Sequence, residues 1–366
     1  MHRETLLEID KARLEHNLDV FRSLIKPETQ ILANLKGNAY GLGASLIGRT
    51  LEKLGIDYFS VAFINEGMDL RKAGIKSNIL VFNPSLFHFK ELIEYELEPE
   101  VSSIYYLRKL IEFLKIKKIK KYPVHIKLDT GMHRAGIEEK ELDSLIDLIH
   151  HSEEIKVKSI FSHLAAAEDP DKDDFTKQQF ELFDRFTSNI KQKTGEDFFR
   201  HILNTAGVFR FTEKQYEMIR PGLGIFGYNL IEKPHKELLP IAQLKTNINQ
   251  IKTLQKGESA GYNNRFTAIK DNTTIALLPL GYADGIDRRL GNGNWKVHIN
   301  GKEAPIIGAV SMDTMSIDIS GIKCNPGDEV IVFDNKDDIY KMAALLESIP
   351  YEMTTRLTNR VERRLK

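Results

Sequence analysis

The first 230 or so of the 366 residues alternate short apolar runs with amphipathic segments, and this alternation constrains the fold most. Eight runs have the length and composition of buried strands: Ile31–Leu35, Tyr58–Ala62, Asn78–Phe82, Pro99–Ser103, Pro123–Leu128, Val157–His163, His201–Asn204 and Met218–Arg220. The segments between them carry apolar residues at helical spacing, as Leu14, Leu18 and Phe21 do. Strands that alternate with helices form a parallel sheet, so eight units predict a (β/α)8 barrel of the TIM type over residues 1–234. If the strand count is wrong by one or two, a doubly wound sheet is the structural alternative.

The pattern changes after about Pro234, where strand-like runs follow one another without regular helices. Turn signals such as Asn300-Gly301 and Asn325-Pro326-Gly327-Asp328 separate several of them. The runs are Gln243–Thr253, Thr273–Leu280, Trp295–Asn300, Ala304–Ser311, Met315–Ile319 and Glu329–Phe333. With one helical stretch near Lys341–Ser348, residues 235–366 are predicted to form a mostly β C-terminal domain.

Charge and cysteine content exclude several classes of protein. Lysine and arginine together number 52, as do aspartate and glutamate, so no net basic field indicates a nucleic acid or an anionic membrane as partner. Cys324 is the only cysteine, which rules out an intrachain disulfide and fits a reducing compartment. The first ten residues include acids where a signal peptide needs an apolar core, and no apolar run reaches membrane-spanning length. We therefore expect a cytoplasmic protein.

Lys36 ends the first apolar run and is followed at once by Gly37-Asn38-Ala39-Tyr40-Gly41. Burial penalises an unpaired ammonium and lowers its pKa. Because only the neutral amine attacks a carbonyl, a lysine in this position suits Schiff-base chemistry. The alternative, on local sequence alone, is a solvated lysine that caps the strand.

Other polar residues also fall where predicted strands end, which is where barrel enzymes place their catalytic groups. They are Lys127, Asp129 and Arg134 after the fifth strand, His163 after the sixth, Asn204 after the seventh and Arg220 after the eighth. Each alone has an ordinary interpretation, such as an ion pair, a packed core histidine or a turn residue. A barrel would bring all of them to one mouth.

The segments after the seventh and eighth strands have the composition of a phosphate site. Thr205-Ala206-Gly207 and Gly222-Leu223-Gly224 supply small residues, backbone N–H groups and a hydroxyl. Barrels commonly bind phosphate in these two loops, although simple turn chemistry is the alternative. A Schiff-base lysine and a phosphate site at one mouth together indicate pyridoxal 5′-phosphate as the cofactor.

Several longer segments carry a resemblance to a known family. They are Lys36-Gly37-Asn38-Ala39-Tyr40-Gly41, Lys127-Leu128-Asp129-Thr130-Gly131-Met132-His133-Arg134, His163, Asn204-Thr205-Ala206-Gly207, Arg220-Pro221-Gly222, Gly281-Tyr282-Ala283-Asp284-Gly285, Ser311-Met312-Asp313 and Ile349-Pro350-Tyr351-Glu352. Nearly end to end, the chain resembles the alanine racemases, fold-type III enzymes that use pyridoxal phosphate. The resemblance implies interconversion of L- and D-alanine, which supplies D-alanine for peptidoglycan.

The resemblance also implies two catalytic bases. Lys36 is similar to the lysine that forms the Schiff base and acts on one face of the substrate α-carbon. Tyr262 is similar to the opposing base, which in the family comes from the partner subunit. Racemisation removes a proton on one face and delivers one on the other, so two flanking bases meet the requirement. A homodimer with shared active sites is therefore expected.

The family's remaining roles transfer by position. His163 and Arg220 match the chain of groups that reaches the cofactor ring nitrogen. The cofactor phosphate set matches Tyr40, Thr205, Gly222, Leu223 and Tyr351, and Asn204 is expected to be a further cofactor-binding residue. Substrate-side residues match Arg134, Met312 and Tyr282, the last two supplied by the partner. Lys127 matches a lysine that is carbamylated in many members, and no metal is expected.

This sequence departs from the family pattern in places that affect substrate range. The second base usually follows serine and precedes glycine, but here the segment reads Gly261-Tyr262-Asn263. The usual phosphate serine is Thr205, and the tyrosine often found near the C-terminus is absent. A racemase for serine, lysine or several amino acids is therefore the nearest alternative. A fold-type III decarboxylase fits less well, because those enzymes have a different histidine-glycine pattern. A non-catalytic pyridoxal-phosphate carrier would lack the β domain.

Overall fold

The computed structural model describes residues 5–231, 237–334 and 336–366. The predicted domain boundary between residues 234 and 235 lies outside the described residues. The described chain begins with a short strand, β1 (Leu6–Ile9), and then enters an eight-stranded parallel sheet.

The strands of this sheet curl into a nearly closed barrel. They are β2 (Gln30–Asn34), β3 (Tyr58–Val61), β4 (Asn78–Val81), β5 (Glu98–Val101), β6 (Tyr122–Lys127), β7 (Ile155–Phe161), β8 (Phe199–His201) and β9 (Met218–Ile219). Each strand pairs in parallel with its neighbour in sequence from β2 to β8, and β9 pairs with β2. Between β8 and β9, the Arg220 N–H donates to the Leu203 carbonyl at 2.9 Å. All four residues of β3 are buried, as expected for a parallel strand covered on both faces.

Helices occupy the connections between the barrel strands. They are α1 (Lys11–Leu24), α2 (Ala44–Lys53), α3 (Ile64–Lys72), α4 (Phe89–Glu94), α5 (Ile104–Lys117), α6 (Leu142–His150), α7 (Asp173–Thr194) and α8 (Thr205–Arg210). Their apolar faces join the main core, as Leu14, Leu18 and Phe21 of α1 show by being fully buried. The α7 helix ends at Gly195, whose φ of 71° suits a residue without a side chain.

The second half of the chain is built on a mostly antiparallel sheet with two helices. Its strands are β10 (Ala242–Asn247), β11 (Gln250–Leu254), β12 (Ser259–Ala260), β13 (Phe266–Thr267), β14 (Thr273–Leu278), β15 (Lys296–Ile299), β16 (Lys302–Ile307), β17 (Met315–Asp318), β18 (Glu329–Phe333) and β19 (Glu362–Leu365). Its helices are α9 (Lys336–Leu345) and α10 (Pro350–Thr355). The strand order is β11-β14-β17-β16-β15-β18-β10-β1-β19, with β12 and β13 paired separately.

The two ends of the chain tie the second sheet to the barrel. Strand β1 pairs antiparallel with β10 and parallel with β19, so the first described strand belongs to the second sheet. Near the C-terminus, the Arg363 guanidinium donates to the Gly41 carbonyl from Nε at 3.0 Å and from NH2 at 2.8 Å. Gly41 directly follows the segment that carries Lys36, so this contact joins the second sheet to the edge of the barrel mouth.

The sequence predictions for the barrel are confirmed, with all eight strands within three residues of their predicted bounds. The mostly β character of the second half is also confirmed. The single strand predicted over Gln243–Thr253 is wrong, because the chain turns at Ile248 and Asn249 and separates β10 from β11. Strand β19 was not predicted, since Glu362-Arg363-Arg364-Leu365 lacks any apolar alternation.

Candidate active site

A cavity of about 410 Å³ opens where the barrel strands end. Ten residues singled out from the sequence line it: Lys36, Tyr40, Lys127, Arg134, His163, Asn204, Thr205, Arg220, Gly222 and Tyr351. Leu223 follows Gly222 in the same turn, but its side chain is buried in the core. The convergence that the barrel hypothesis required is therefore present within one chain.

Lys36 is positioned by an unusual turn directly after β2. From Gly37 to Tyr40, four consecutive residues have φ between 52° and 61°. Left-handed backbone costs roughly 1–2 kcal/mol for each residue other than glycine, so other contacts must hold the turn. The Glu66 carboxylate does so, because it accepts the Gly37 N–H at 2.6 Å and the Ala62 N–H at 2.7 Å. Such locally strained backbone is typical of functional sites.

The surroundings of Lys36 favour its neutral amine. Burial lowers the pKa of the Lys36 amino group most, and the cations Arg134, Lys127 and Arg220 lower it further. Glu66 acts in the opposite direction. Because the neutral amine is the nucleophile, this setting suits attack on a carbonyl.

Arg220 is a buried cation, 3% exposed, whose terminal nitrogens are held by the barrel. NH1 donates to the His201 carbonyl at 3.0 Å, and NH2 donates to the Ser162 carbonyl at 2.7 Å. NH2 also lies 3.2 Å from His163 Nδ1. Within the described chain no hydrogen bond uses the Arg220 Nε, although the residue lines the cavity. This geometry leaves one donor for a ligand.

His163 is neutral in this environment and can accept from Arg220. Burial lowers the pKa of His163 well below its usual range, and the Arg220 charge adds to the effect. For Arg220 itself, burial lowers the pKa to about 9. The pair therefore carries one positive charge near neutral pH, located on the guanidinium.

Small residues and hydroxyl groups form the side of the cavity after β8 and β9. The Thr205 hydroxyl accepts the N–H groups of Gly222 at 3.1 Å and Gly224 at 3.3 Å. A side chain at Gly222 would place its Cβ 2.6 Å from the Tyr40 hydroxyl, so glycine is required for this close approach. Asn204 caps α8 by accepting the Gly207 N–H at 2.9 Å.

Two tyrosines face each other at this side of the cavity. The rings of Tyr40 and Tyr351 lie 5.8 Å apart between centroids. Burial raises the pKa of the Tyr40 hydroxyl and raises that of Tyr351 to about 12. Both hydroxyls are therefore protonated donors near neutral pH, which suits contact with an anion.

Lys127 has an acidic neighbour that the sequence reasoning missed. Glu100, 2% exposed, places Oε1 3.6 Å from the Lys127 amino group, while its Oε2 is buried without a partner. Burial raises the pKa of Glu100 to about 7, although Lys127 opposes the shift. Burial also lowers the pKa of Lys127, against the effect of Glu100. The sequence signal was an acid inside the strand-like run Pro99–Ser103.

Three predicted residues from the second half of the chain do not line this cavity. Tyr262 is 71% exposed, Met312 52% and Tyr282 41%. Tyr282 and Met312 lie on neighbouring loops, because the N–H groups of Tyr282 and Ala283 donate to the carbonyls of Ser311 and Met312, each at 3.0 Å. All three side chains therefore lie on the outer surface of a single chain.

The described part of the chain contains neither a metal-binding cluster nor a membrane-spanning helix. Across residues 5–231, 237–334 and 336–366, no three side chains among histidine, cysteine, aspartate and glutamate are arranged to hold a metal ion. In the same ranges, no helix is both long and apolar enough to span a membrane.

Comparisons with known proteins match the whole chain to one family. The family model "Alanine racemase, N-terminal domain" matches residues 9–230, and "Alanine racemase, C-terminal domain" matches residues 241–365. Alanine racemase 1 of Caldanaerobacter subterraneus subsp. tengcongensis is 33% identical, over 99% of this chain and 94% of the relative.

Solved structures agree with the sequence matches. The alanine racemase of Clostridium difficile 630 superposes with a TM-score of 0.94 at 30% identity, covering 100% of this chain and 96% of that one. The alanine racemase of Bartonella henselae, solved with covalently bound pyridoxal phosphate, gives 0.85 at 27% identity and covers both chains fully.

Proposed function

Because the chain belongs to the alanine racemase family, we propose that it interconverts L-alanine and D-alanine with pyridoxal 5′-phosphate as cofactor. The observation that carries this proposal is the full-length family match, which includes both the barrel and the second domain. The residues of the cavity fit the cofactor, since they include a solvent-accessible lysine whose pKa is lowered and an arginine whose Nε makes no hydrogen bond within the described chain. Production of D-alanine for peptidoglycan in the cytoplasm is the corresponding cellular role.

When bound, pyridoxal phosphate withdraws electrons from the substrate α-carbon, so that its proton can be removed. Lys36 would hold the cofactor covalently and, once the substrate amine has displaced it, its free Nζ would take or return that proton on one face. Arg220 would donate from Nε to the ring nitrogen and, because it keeps its own proton, would limit protonation of the ring. His163 supports Arg220 by accepting from NH2.

The opposite end of the cofactor is bound by the small-residue side of the cavity. The hydroxyls of Tyr40, Thr205 and Tyr351 and the backbone of Gly222 and Leu223 would hold the phosphate. Asn204 stabilises this side by capping α8. Support comes from the protonated state of the two tyrosines and from the absence of any room for a side chain at Gly222.

The second base is Tyr262, supplied by the partner subunit of a homodimer. The hydroxyl of Tyr262 holds the proton on the face of the α-carbon opposite Lys36. Tyr282 and Met312 accompany it from the same partner and contact the substrate. Their exposure on a single chain, together with their absence from its cavity, supports a site completed by a second copy.

Arg134 binds the carboxylate side of the substrate. Lys127, in its carbamylated form, orients Arg134. The lowered pKa of Lys127 supplies a neutral amine for reaction with carbon dioxide. A carbamate would be an anion among the cations Arg134 and Arg220. Glu100, whose pKa is raised to about 7, can hold a proton and donate it to that anion.

The division of labour between domains follows the same scheme. We propose that residues 1–234 bind the cofactor, with Tyr351 added from the second half, and that residues 235–366 contribute the second base, with β1 added to the second sheet. The match of residues 241–365 to the C-terminal family domain favours a racemase over a carrier that lacks this domain.

A racemisation panel with purified, cofactor-loaded protein tests the proposal. L-Alanine, L-serine and L-lysine are each incubated with the enzyme, and the D-enantiomer is measured by chiral chromatography. We expect alanine to react far faster than the other two. Equal rates on all three would replace alanine racemase with a broad racemase, and no conversion of any would support a carrier.

A further inference from the structure

A second group of buried polar side chains lies inside the barrel and is not used by the roles given above. One residue from each of five strands contributes, and none is more than 6% exposed: Tyr58, Glu98, His125, Ser159 and His201. An acid and two histidines in a barrel interior are unfavourable unless hydrogen bonds satisfy them. These residues satisfy one another.

Four contacts form an unbroken chain from Arg220, at the cavity, through three of these residues to Glu98. Arg220 NH1 lies 2.7 Å from His201 Nδ1, and His201 Nε2 lies 2.8 Å from the Ser159 hydroxyl. That hydroxyl lies 2.7 Å from His125 Nδ1, and His125 Nε2 lies 2.7 Å from Glu98 Oε2. A guanidinium therefore forms one end and a carboxylate the other.

With both imidazoles neutral, the chemistry of the two ends fixes the direction of every proton. Arginine can only donate, so His201 Nδ1 must accept, and its Nε2 must carry the proton. The Ser159 oxygen then accepts from His201, and its own proton points to His125 Nδ1. His125 in turn carries its proton on Nε2 and donates to Glu98. The same order follows from the other end, because an ionised carboxylate can only accept.

We propose that Glu98 is a positioning residue that acts on Arg220 through a proton-ordered relay of His125, Ser159 and His201. The relay holds both histidines in their Nε2–H form and keeps the His201 Nδ1 lone pair directed at the guanidinium. Arg220 NH1 is thereby fixed in place. This effect on the group that faces the cofactor ring rests on the proposed function, whereas the proton order does not.

The electrostatics of the ends agree with this order. Burial lowers the pKa of His201 well below its usual range, and the Arg220 charge lowers it further, so His201 does not carry a second proton. Burial raises the pKa of Glu98, but hydrogen bonds from His125 and Tyr58 outweigh it, and the pKa is lowered overall. Glu98 therefore remains an anion. Chains of aligned hydrogen bonds polarise one another, which transmits the charge of one end to the other.

Nitrogen NMR of the histidine rings tests the proton order directly. Protein labelled with ¹⁵N-histidine is measured near neutral pH, both without cofactor and loaded with pyridoxal phosphate. The Ser159→Ala variant identifies the two rings, because it removes a partner from His125 and His201 only. We expect both rings to be Nε2–H and bare at Nδ1 in each state. A proton on Nδ1 of either ring would overturn the relay.

Kinetics test its effect on Arg220. Ser159→Ala interrupts the relay, and we expect kcat for alanine to fall about tenfold to a hundredfold, the cost of leaving buried ring nitrogens of His125 and His201 without partners, with KM nearly unchanged. Glu98→Gln removes the charge with little change in shape and should act in the same direction. Tyr122→Phe is the matched control: it removes a 2.5 Å hydrogen bond from another buried barrel tyrosine to the Leu97 carbonyl but leaves the relay and the hydrogen bonds of Glu98 in place, so kcat should change less than about twofold.

The two measurements separate the relay from the proposed function. If Ser159→Ala and Glu98→Gln both keep the wild-type kcat, or if Tyr122→Phe lowers it equally, Glu98 is not a positioning residue. Should Ser159→Ala fail to fold, the wild-type spectrum and Glu98→Gln still decide. A wild-type protein with the expected ring protons but no alanine turnover would refute the proposed function alone.

Discussion

The barrel and the second domain present their predicted active-site residues in opposite ways. In the barrel, Lys127 is 8% exposed and Arg220 3%, and neighbouring charges alter the pKa values of both. In the second domain, Tyr262 is 71% exposed and Met312 52%. One chain thus contains the cofactor side of the proposed site, whereas the opposite side faces outward. We infer that folding of one chain is enough to arrange the barrel residues of the proposed site. Tyr262 and Met312, in contrast, reach a site only when two chains associate.

The largest expected effect comes from removing Lys36, the proposed nucleophile. Lys36→Ala deletes both the covalent anchor and one base, so we expect racemisation to fall by at least about a thousandfold. The absorption band of the lysine–cofactor imine should disappear as well. Absorbance spectra and chiral assay of the purified variant measure both losses.

The matched control is Lys26, which is exposed and precedes strand β2, whereas Lys36 follows that strand. Lys26→Ala should therefore keep full activity and the imine band. Circular dichroism of both variants verifies folding. Substantial turnover by a folded Lys36→Ala protein would show that the cavity is not organised around this lysine.

Exchange of subunits tests whether the exposed half completes the site of another copy. Tyr262→Phe should lose about a hundredfold or more in rate while keeping the imine band, because only the second base is removed. Mixed in equal amounts and allowed to re-associate, inactive Tyr262→Phe and Lys36→Ala chains form hybrids in half of the dimers. Each hybrid has one site with both bases, so about a quarter of the wild-type activity should return.

The complementation experiment has two informative controls. Tyr105→Phe alters a tyrosine that is 61% exposed on barrel helix α5, and it should not affect the rate. Each variant alone, carried through the same dissociation and re-association, should remain inactive. If the mixture stays inactive although hybrids form, Tyr262 acts within its own chain and the shared-site proposal is wrong.

The same contrast explains what could be predicted from the sequence. Strand ends of a barrel have a fixed geometric meaning, so the sequence alone was enough to place Lys36, His163 and Arg220 at one mouth. Glu100 could not be placed in this way, because a pattern of apolar residues does not say toward which side of a strand an acid points. Strand β1 pairs with partners more than 230 residues away, which no local pattern reveals.

For Tyr262, neither the local sequence nor the structure of one chain indicates a catalytic role. The family resemblance supplies its role, but one described chain shows only an exposed tyrosine in a short turn. The side chain lacks a local environment that would mark it as a base. A residue whose function depends on association carries no signal of burial or of charge in a single chain.

A smaller effect is expected from replacing Lys127, which lies at the end of barrel strand β6. Incubation with ¹³C-bicarbonate should give a carbamate carbon signal in NMR spectra of the protein. Lys127→Ala should remove the signal and lower kcat/KM about tenfold to a hundredfold, the loss of one charged hydrogen-bonding group. Because Lys36 lines the same cavity and also has a lowered pKa, Lys36→Ala serves as the control and should keep the signal. If the signal instead disappears with Lys36, the modified lysine is misassigned.

The smallest expected effect is on the free energy of unfolding, and it concerns Glu100, a buried residue of the barrel. The pKa of Glu100 is raised to about 7 in the folded protein, above its ordinary value in the unfolded chain. Its protonation therefore stabilises the fold at low pH, and this contribution is lost as pH rises through about 7. Glu100→Gln removes that dependence, so the wild type should lose up to about 3 kcal/mol relative to the variant between roughly pH 4.5 and 7.

Urea unfolding of the cofactor-free proteins across this pH range measures the difference. Lys127 opposes the shift, so the observed change should be smaller than this limit. The matched control is Glu138→Gln, whose carboxylate is 54% exposed in a surface ion pair with Lys140, and its free energy of unfolding should differ from that of the wild type by no more than about 1 kcal/mol. A difference between wild type and Glu100→Gln that does not vary with pH would mean that Glu100 is ionised throughout. Lys127 would then be held as an ammonium, and its carbamylation would lose its physical basis.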